Sequence, residues 1–170
     1  MKLCAIIAKN QDLNYRYELY SKRKEAVNFF EQRAPNDFGT YGIGWDRYKT
    51  YKGQAFSKTE TLKQYKFSIC YEGASDQNGY VTEKIFGSMA AGCIPIYWGA
   101  PDIKKYVPEG CFIDMRSFAN LNDLYQFITN MSEETYNTYL ENIKTYFRSP
   151  AAHKFSIDFF VENLINVQLT

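Results

Sequence analysis

One histidine, four scattered cysteines and almost no net charge narrow the chemistry open to this 170-residue chain. With His153 as the single histidine, a Ser-His-Asp or Cys-His machine has one residue to depend on, in an Ala-Ala-His-Lys stretch. Cys4, Cys70, Cys93 and Cys111 form no C-x-x-C pair, so a zinc site lacks its usual ligand spacing and no metal is expected. Their apolar neighbours suit buried free thiols and a reducing compartment, so the expected location is the cytoplasm. Any peripheral attachment to a membrane then comes through parts outside this sequence. Twenty basic against 19 acidic residues, net +1, give no field to gather nucleic acid or an anionic surface. No apolar run approaches the ~18–20 residues of a membrane span, and residues 1–10 lack a signal-peptide core. Ten glycines and five prolines are few, whereas 15 tyrosines, 13 phenylalanines and two tryptophans are many. That balance excludes disordered and collagen-like chains and leaves one globular domain over residues 1–170.

What is present alternates short apolar runs with longer amphipathic ones. Strands are expected at residues 3–8, 67–72, 94–98 and 112–115, with a strand or turn in the Gly-rich stretch 38–45. Helices are expected at 22–31, 54–64 and 82–91, the last stopped by Gly92 in a left-handed position. A short helix starts at 99–102. Three apolar stripes predict core-facing helices: Leu121, Leu124, Tyr125 and Ile128; Tyr136, Tyr139, Leu140 and Ile143; Ile157, Phe160, Val161 and Leu164. Strands that are apolar throughout, between helices, imply a parallel sheet covered on both faces, a Rossmann-like doubly wound α/β domain.

In such sheets ligands bind beyond the carboxyl ends of the strands. The richest junction runs from Tyr71 to Lys84. A polar loop (Ser75 to Gly79) leads to Thr82 as a plausible N-cap, with Glu83 and Lys84 in the first helical turn. A lysine at a helix start is mildly unfavourable unless an anion occupies that terminus. Two readings of Lys84 stand side by side: it holds an anion, or it pairs with Glu83 or Asp76 on a solvated surface. Neither a Walker A sequence nor G-x-G-x-x-G is present. Ser21-Lys22-Arg23-Lys24 reads by itself as a solvated helix start. In a doubly wound sheet, however, it shares the ligand edge with Lys84, so Arg23 and Lys84 can converge on one diphosphate.

Three ordered blocks, YKFSICYE (65–72), GYVTEKIF (79–86) and AGCIPIYWGAP (91–101), carry a resemblance to the α-1,3/1,4-fucosyltransferases, glycosyltransferase family ten. Phe112-Ile113-Asp114 and Ser117-Phe118 extend it, so that it runs from roughly residue 3 to 148. The resemblance implies the C-terminal donor lobe of a GT-B enzyme, with GDP-β-L-fucose as donor substrate, no cofactor, and inverting, metal-independent transfer to a glycan hydroxyl. It implies Arg23 and Lys84 on the diphosphate, Tyr80 on the nucleotide and Glu83 on the fucose. The physical reading agrees, because departing GDP develops negative charge that Arg23, Lys84 and the helix N-terminus at Thr82 can stabilise.

Two departures accompany the likeness. The family usually has Asn after the glutamate that closes the strand, where this chain has Gly73, and the following loop is one residue longer than in close bacterial relatives. Ser75, Asp76 and Asn78 are the candidates for the displaced ribose or phosphate contact. The chain also starts at the donor lobe's first strand, so no position matches the family's acceptor lobe or its general base. The partners implied are a nucleotide sugar, a glycan acceptor and a missing N-terminal lobe or partner chain. The alternatives are a nucleotide-sugar binding module inactive without that lobe, and transfer of another GDP-sugar.

Overall fold

The computed structural model describes residues 1–155. Five strands, β1 (Lys2–Ile7), β2 (Phe38–Tyr41), β3 (Tyr65–Tyr71), β4 (Ile94–Trp98) and β5 (Ile113–Asp114), form one sheet in the order β2-β1-β3-β4-β5. Every pairing is parallel, with Cys4 opposite both Phe38 and Phe67 and Ile69 opposite Ile96. This is the expected doubly wound α/β architecture. Alternation along β1 explains why two clusters are needed: Cys4 and Ile6 enter the large core, whereas Ala5 joins Leu62, Tyr65, Ala91 and Cys93 in a smaller one. All four cysteines are free and buried, as their apolar neighbours suggested.

Helix α1 (Tyr20–Arg33) is longer than the apolar spacing predicts. Its leading residue Leu19 makes no side-chain cap; Glu18 instead accepts a hydrogen bond from Ser21 N at 2.9 Å. Helix α2 is only Lys58–Leu62, because the preceding residues 52–57 form no regular element, and Ser57 caps it by accepting from Glu60 N. Helix α3 (Glu83–Ala90) packs on β3, β4 and α2. It ends as expected: Gly92 takes φ +73°, with Cys93 N bonded to Ser88 O and Gly92 N to Met89 O. That pair of bonds is a Schellman closure.

The stretch 38–45 resolves into β2 and a turn in which Gly42 and Gly44 take positive φ. A Cβ on Gly42 would collide with the Ala8 carbonyl, so this turn closes directly against the end of β1. Residues 99–102 lead through a turn into a single 3₁₀ turn, Ile103–Lys105. Helices α4 (Leu121–Thr129) and α5 (Glu133–Phe147) carry the first two stripes, capped by Asn120 and Ser132, and a short α6 (Pro150–His153) follows. The third stripe, Ile157 to Leu164, lies outside the described residues. No helix among the described residues is long and apolar enough to cross a membrane.

Candidate functional site

From β1 the chain runs to β2 on one side, and it later returns to β3 on the other. Loops leaving the carboxyl ends of β1 and β3 therefore diverge and open a crevice, the position at which such sheets bind ligands. The residues around it are held by a carboxylate that the sequence motifs did not single out. Glu72 directly follows β3 and is 0% exposed. Its backbone N–H donates to Trp98 O at 2.8 Å, which extends the β3–β4 ladder by one residue. Its carboxylate accepts from Thr82 N (2.8 Å), from Thr82 Oγ1 (2.8 Å) and from Lys84 Nζ (3.1 Å). Lys84 Nζ also donates to Thr82 Oγ1 at 2.9 Å.

Two sequence expectations change here. Thr82 is the N-cap residue of α3, but its side chain makes no cap hydrogen bond. Its hydroxyl is turned to Glu72, which takes the first amide of the terminus instead. Lys84 pairs neither with Glu83 nor with Asp76; its partner is the buried Glu72, with the lysine side chain 24% exposed. A cation that close compensates a carboxylate that burial alone would make costly.

Arg23 is the larger correction. The basic run at 21–24 is solvated at Lys22 and Lys24, which pair with Glu25 and Asp12, but Arg23 is only 4% exposed. Its Nε and Nη2 donate to Tyr71 O at 3.2 and 2.8 Å, and its guanidinium lies 4.5 Å over the Tyr20 ring. Burial pulls its pKa below the ordinary arginine value, against the opposing pull of Tyr20 and Glu72. Arg23 and Lys84 thus bond successive residues, Tyr71 and Glu72.

Gly73 sits where two tyrosine hydroxyls close in. A Cβ there would lie 3.2 Å from Tyr80 Oη and 3.3 Å from Tyr20 Oη. Tyr80 is partly exposed, and its hydroxyl and that of Tyr20 fill the place of a larger side chain at 73. Ser75 is occupied elsewhere: its N and Oγ donate to Tyr17 O at 2.9 and 3.2 Å. The Tyr15 hydroxyl donates to Asp76, so residues 15–18 strap the loop through the Glu18–Ala74 bridge. Asn78 is exposed. Gly79, at φ +73°, donates its N–H to Asp102 Oδ1 at 2.8 Å. That hydrogen bond, followed by partial burial acting the other way and the charge of Lys105, holds the Asp102 carboxyl below its usual range.

Glu83 opens α3 with its side chain 67% exposed and accepts from Lys58 Nζ at 3.1 Å. Partial burial raises its pKa, but the Lys58 hydrogen bond and the Lys84 charge outweigh that and leave it below the usual glutamate value. Glu83 and Lys84 line a cleft with Ile7, Lys58, Leu62 and Ile69. Sequence reasoning missed Glu72, Lys58 and Tyr20. Glu72 carried a readable signal, an acid ending an apolar strand; Lys58 and Tyr20 carried none. Among the described residues no group of three His, Cys, Asp or Glu side chains stands together to hold a metal ion.

Residues 3–160 match the family model of glycosyltransferase family 10 (fucosyltransferase), C-terminal region. An α-(1,3)-fucosyltransferase of Helicobacter pylori is 32% identical over 120 residues, 65% of this chain and 25% of that protein. A putative fucosyltransferase of Acanthamoeba polyphaga mimivirus is 35% identical over 111 residues, 64% of this chain and 18% of that protein. A crystal structure of an α1,3-fucosyltransferase superposes with TM-score 0.64 at 26% identity, covering 84% of this chain and 36% of that one. One with GDP superposes with TM-score 0.63 at 25% identity, covering 82% and 38%. The chain therefore spans a quarter or less of the curated relatives it matches and little more than a third of the solved chains.

Proposed function

The chain belongs to glycosyltransferase family 10, and on that premise we propose that it is the donor domain of a fucosyltransferase, binding GDP-β-L-fucose. The observation that carries this reading is that Arg23 and Lys84 bond the successive residues Tyr71 and Glu72 at the carboxyl edge of the sheet. A solved relative at 25% identity is described as a complex with GDP, which supports the choice of nucleotide. In this reading Arg23 and Lys84 hold the diphosphate, Tyr80 lies along the nucleotide, and Glu83 meets the fucose. Ser75 is tied to Tyr17 and Asp76 to Tyr15, so of the loop candidates Asn78 remains beside Gly73 for the ribose side.

Transfer proceeds with inversion. An acceptor oxygen attacks the anomeric carbon, its proton passes to a carboxylate base, and GDP departs with the electron pair of the broken bond. Arg23 and Lys84 neutralise the charge that develops on GDP, which is the basis for proposing metal-independent transfer. Glu83 holds a fucose hydroxyl or faces the positive charge building at the sugar carbon. In this reading the base and the acceptor site belong to an N-terminal lobe or a partner chain, and the match of residues 3–160 to a family model of the C-terminal region supports it. On this view the isolated domain binds donor and waits for that lobe. Four buried free thiols favour a reducing location such as the cytoplasm.

Calorimetric titration with GDP-fucose, GDP-mannose and UDP-glucose tests the proposal. GDP-fucose binding tighter than UDP-glucose is expected. Equal binding of GDP-mannose would shift the donor to another GDP-sugar, and a folded sample that binds no GDP species would refute the assignment.

A further inference from the structure

The carboxylate of Glu72 is the one fully buried acid in the domain's described core, and the donor chemistry above assigns it no task. Its surroundings are specific. One oxygen takes the Thr82 amide; the other takes the Thr82 hydroxyl and the Lys84 ammonium. Thr82 Oγ1 gives its only proton to Glu72, so the lone pair it offers Lys84 faces a fixed direction. Two of the three ammonium protons of Lys84 are thus committed to neighbouring oxygens, and the third is aimed by them. On the other side, Arg23 bonds the carbonyl of the preceding residue and feels the charge of Glu72. The carboxylate itself has no freedom to retreat: a Cβ added at Gly99 would lie 2.5 Å from Glu72 Cγ, so β4's exit presses directly against it.

We propose that Glu72 is a positioning residue for donor binding: it seats the Lys84 ammonium and the Thr82 hydroxyl so that the lysine presents a single aimed proton to the diphosphate. The inference rests on the GDP-binding reading. A lysine side chain has many rotamers to lose, and holding it in place before the ligand arrives removes that cost from binding. The same carboxylate also lies near enough to compete with phosphate for the ammonium. The two effects have opposite signs, which makes the proposal decidable.

The test compares the 170-residue chain with its Glu72→Gln and Glu72→Asp variants, each checked for folding by circular dichroism. Trace acetylation with acetic anhydride, read by mass spectrometry against exposed Lys2, reports how firmly Lys84 is held without any nucleotide. Glu72→Gln should raise Lys84 acetylation at least fivefold, with Glu72→Asp in between. Titrations then use GDP and guanosine. Glu72→Gln should weaken GDP tenfold or more and guanosine less than twofold. Unchanged Lys84 reactivity overturns the proposal, as does tighter GDP binding, which would make Glu72 a competitor. An equal loss of guanosine also overturns it, because that marks a structural role. Should Glu72→Gln fail to fold, the Asp variant carries the same comparisons with smaller changes. A wild-type chain that binds no GDP, yet shows the change in Lys84 reactivity, refutes the nucleotide reading and leaves the seating of Lys84 intact.

Discussion

Replacing Gly99 by alanine adds one methyl group at the most crowded point behind the site. Its Cβ would lie 2.5 Å from Glu72 Cγ, 2.5 Å from Tyr97 Oη and 2.8 Å from Tyr97 Cζ. Neither neighbour yields easily. Tyr97 is fully buried and its hydroxyl accepts from Ala100 N at 3.0 Å, while Glu72 is tied by three side-chain hydrogen bonds. Forcing one methyl into a closed core costs about 1–3 kcal/mol. At roughly 2–4 °C per kcal/mol for a domain of this size, the melting temperature should fall by about 2–12 °C. Gly87 supplies the control. It lies inside α3, and a Cβ there meets nothing within 4 Å. Gly87→Ala should stabilise by about 0.5–1 kcal/mol through helix propensity alone. Differential scanning calorimetry of the two variants reads both signs. A Gly99→Ala protein that melts within a degree of wild type would refute the argument that Glu72 is pinned from behind.

Arg23→Ala strips both N–H donors from the buried Tyr71 carbonyl and should lower stability by about 1–3 kcal/mol besides weakening GDP, seen as a lower denaturant midpoint. Lys84→Ala should weaken GDP by ~1.5–3 kcal/mol in calorimetry. It should also lower the melting temperature, because it leaves the Glu72 carboxylate buried without its cation. Asp102 has a folded pKa depressed below the ordinary 3.8, so its contribution is present above pH 3.8 and is lost as pH falls through the lower folded value. The stability difference between wild type and Asp102→Asn should therefore be full at pH 6 and shrink below pH 3.8 in melting curves. Burial pushes Cys70 and Cys111 to about 11 and Cys93 to about 12, and raises Cys4 well above its usual value. A thiol reagent at pH 8 should label none of the four in the native protein and all four in guanidinium; rapid native labelling would refute their burial.

The sheet was legible because its strands are apolar on both faces. Cys4 to Ile6 and Ile94 to Tyr97 are buried without a break, and no surface strand tolerates such a run. Helix α3 was legible at its end because Gly92 stands where a left-handed residue is needed. Its start was legible as well, with Thr82 at the N-cap, but the group that takes the Thr82 amide, Glu72, lies ten residues upstream, beyond the reach of any local capping rule. The true length of α1 was hidden for a local reason: its leading turn is closed by the side chain of Glu18, three residues before Ser21, and glutamate is not among the usual capping residues. The overlong forecast for α2 has a different origin: a polar stretch with helix-forming residues extends only as far as Leu62 and Ser57 pin it.

Site residues were legible as a set of charges but not as a set of contacts. Four consecutive polar residues, Ser21 to Lys24, look alike in sequence, yet only Arg23 points inward, because α1 buries the stripe through Arg23, Ala26, Val27 and Phe30. Arg23 sits one turn ahead of the first apolar member of that stripe, so the period was present in the sequence and hydrophilicity overrode it. Glu72 and Lys84 show the converse. Each is polar, each reads as exposed, and each becomes interpretable only once β3 and α3 bring them within 3.1 Å. A buried charge is a property of a pair, and the pair exists only after the chain has folded. The residues whose role depends on one partner at long range, Glu72, Lys84 and Arg23, are therefore the ones where structure adds most to the sequence. They are also the ones where a single substitution separates binding chemistry from folding.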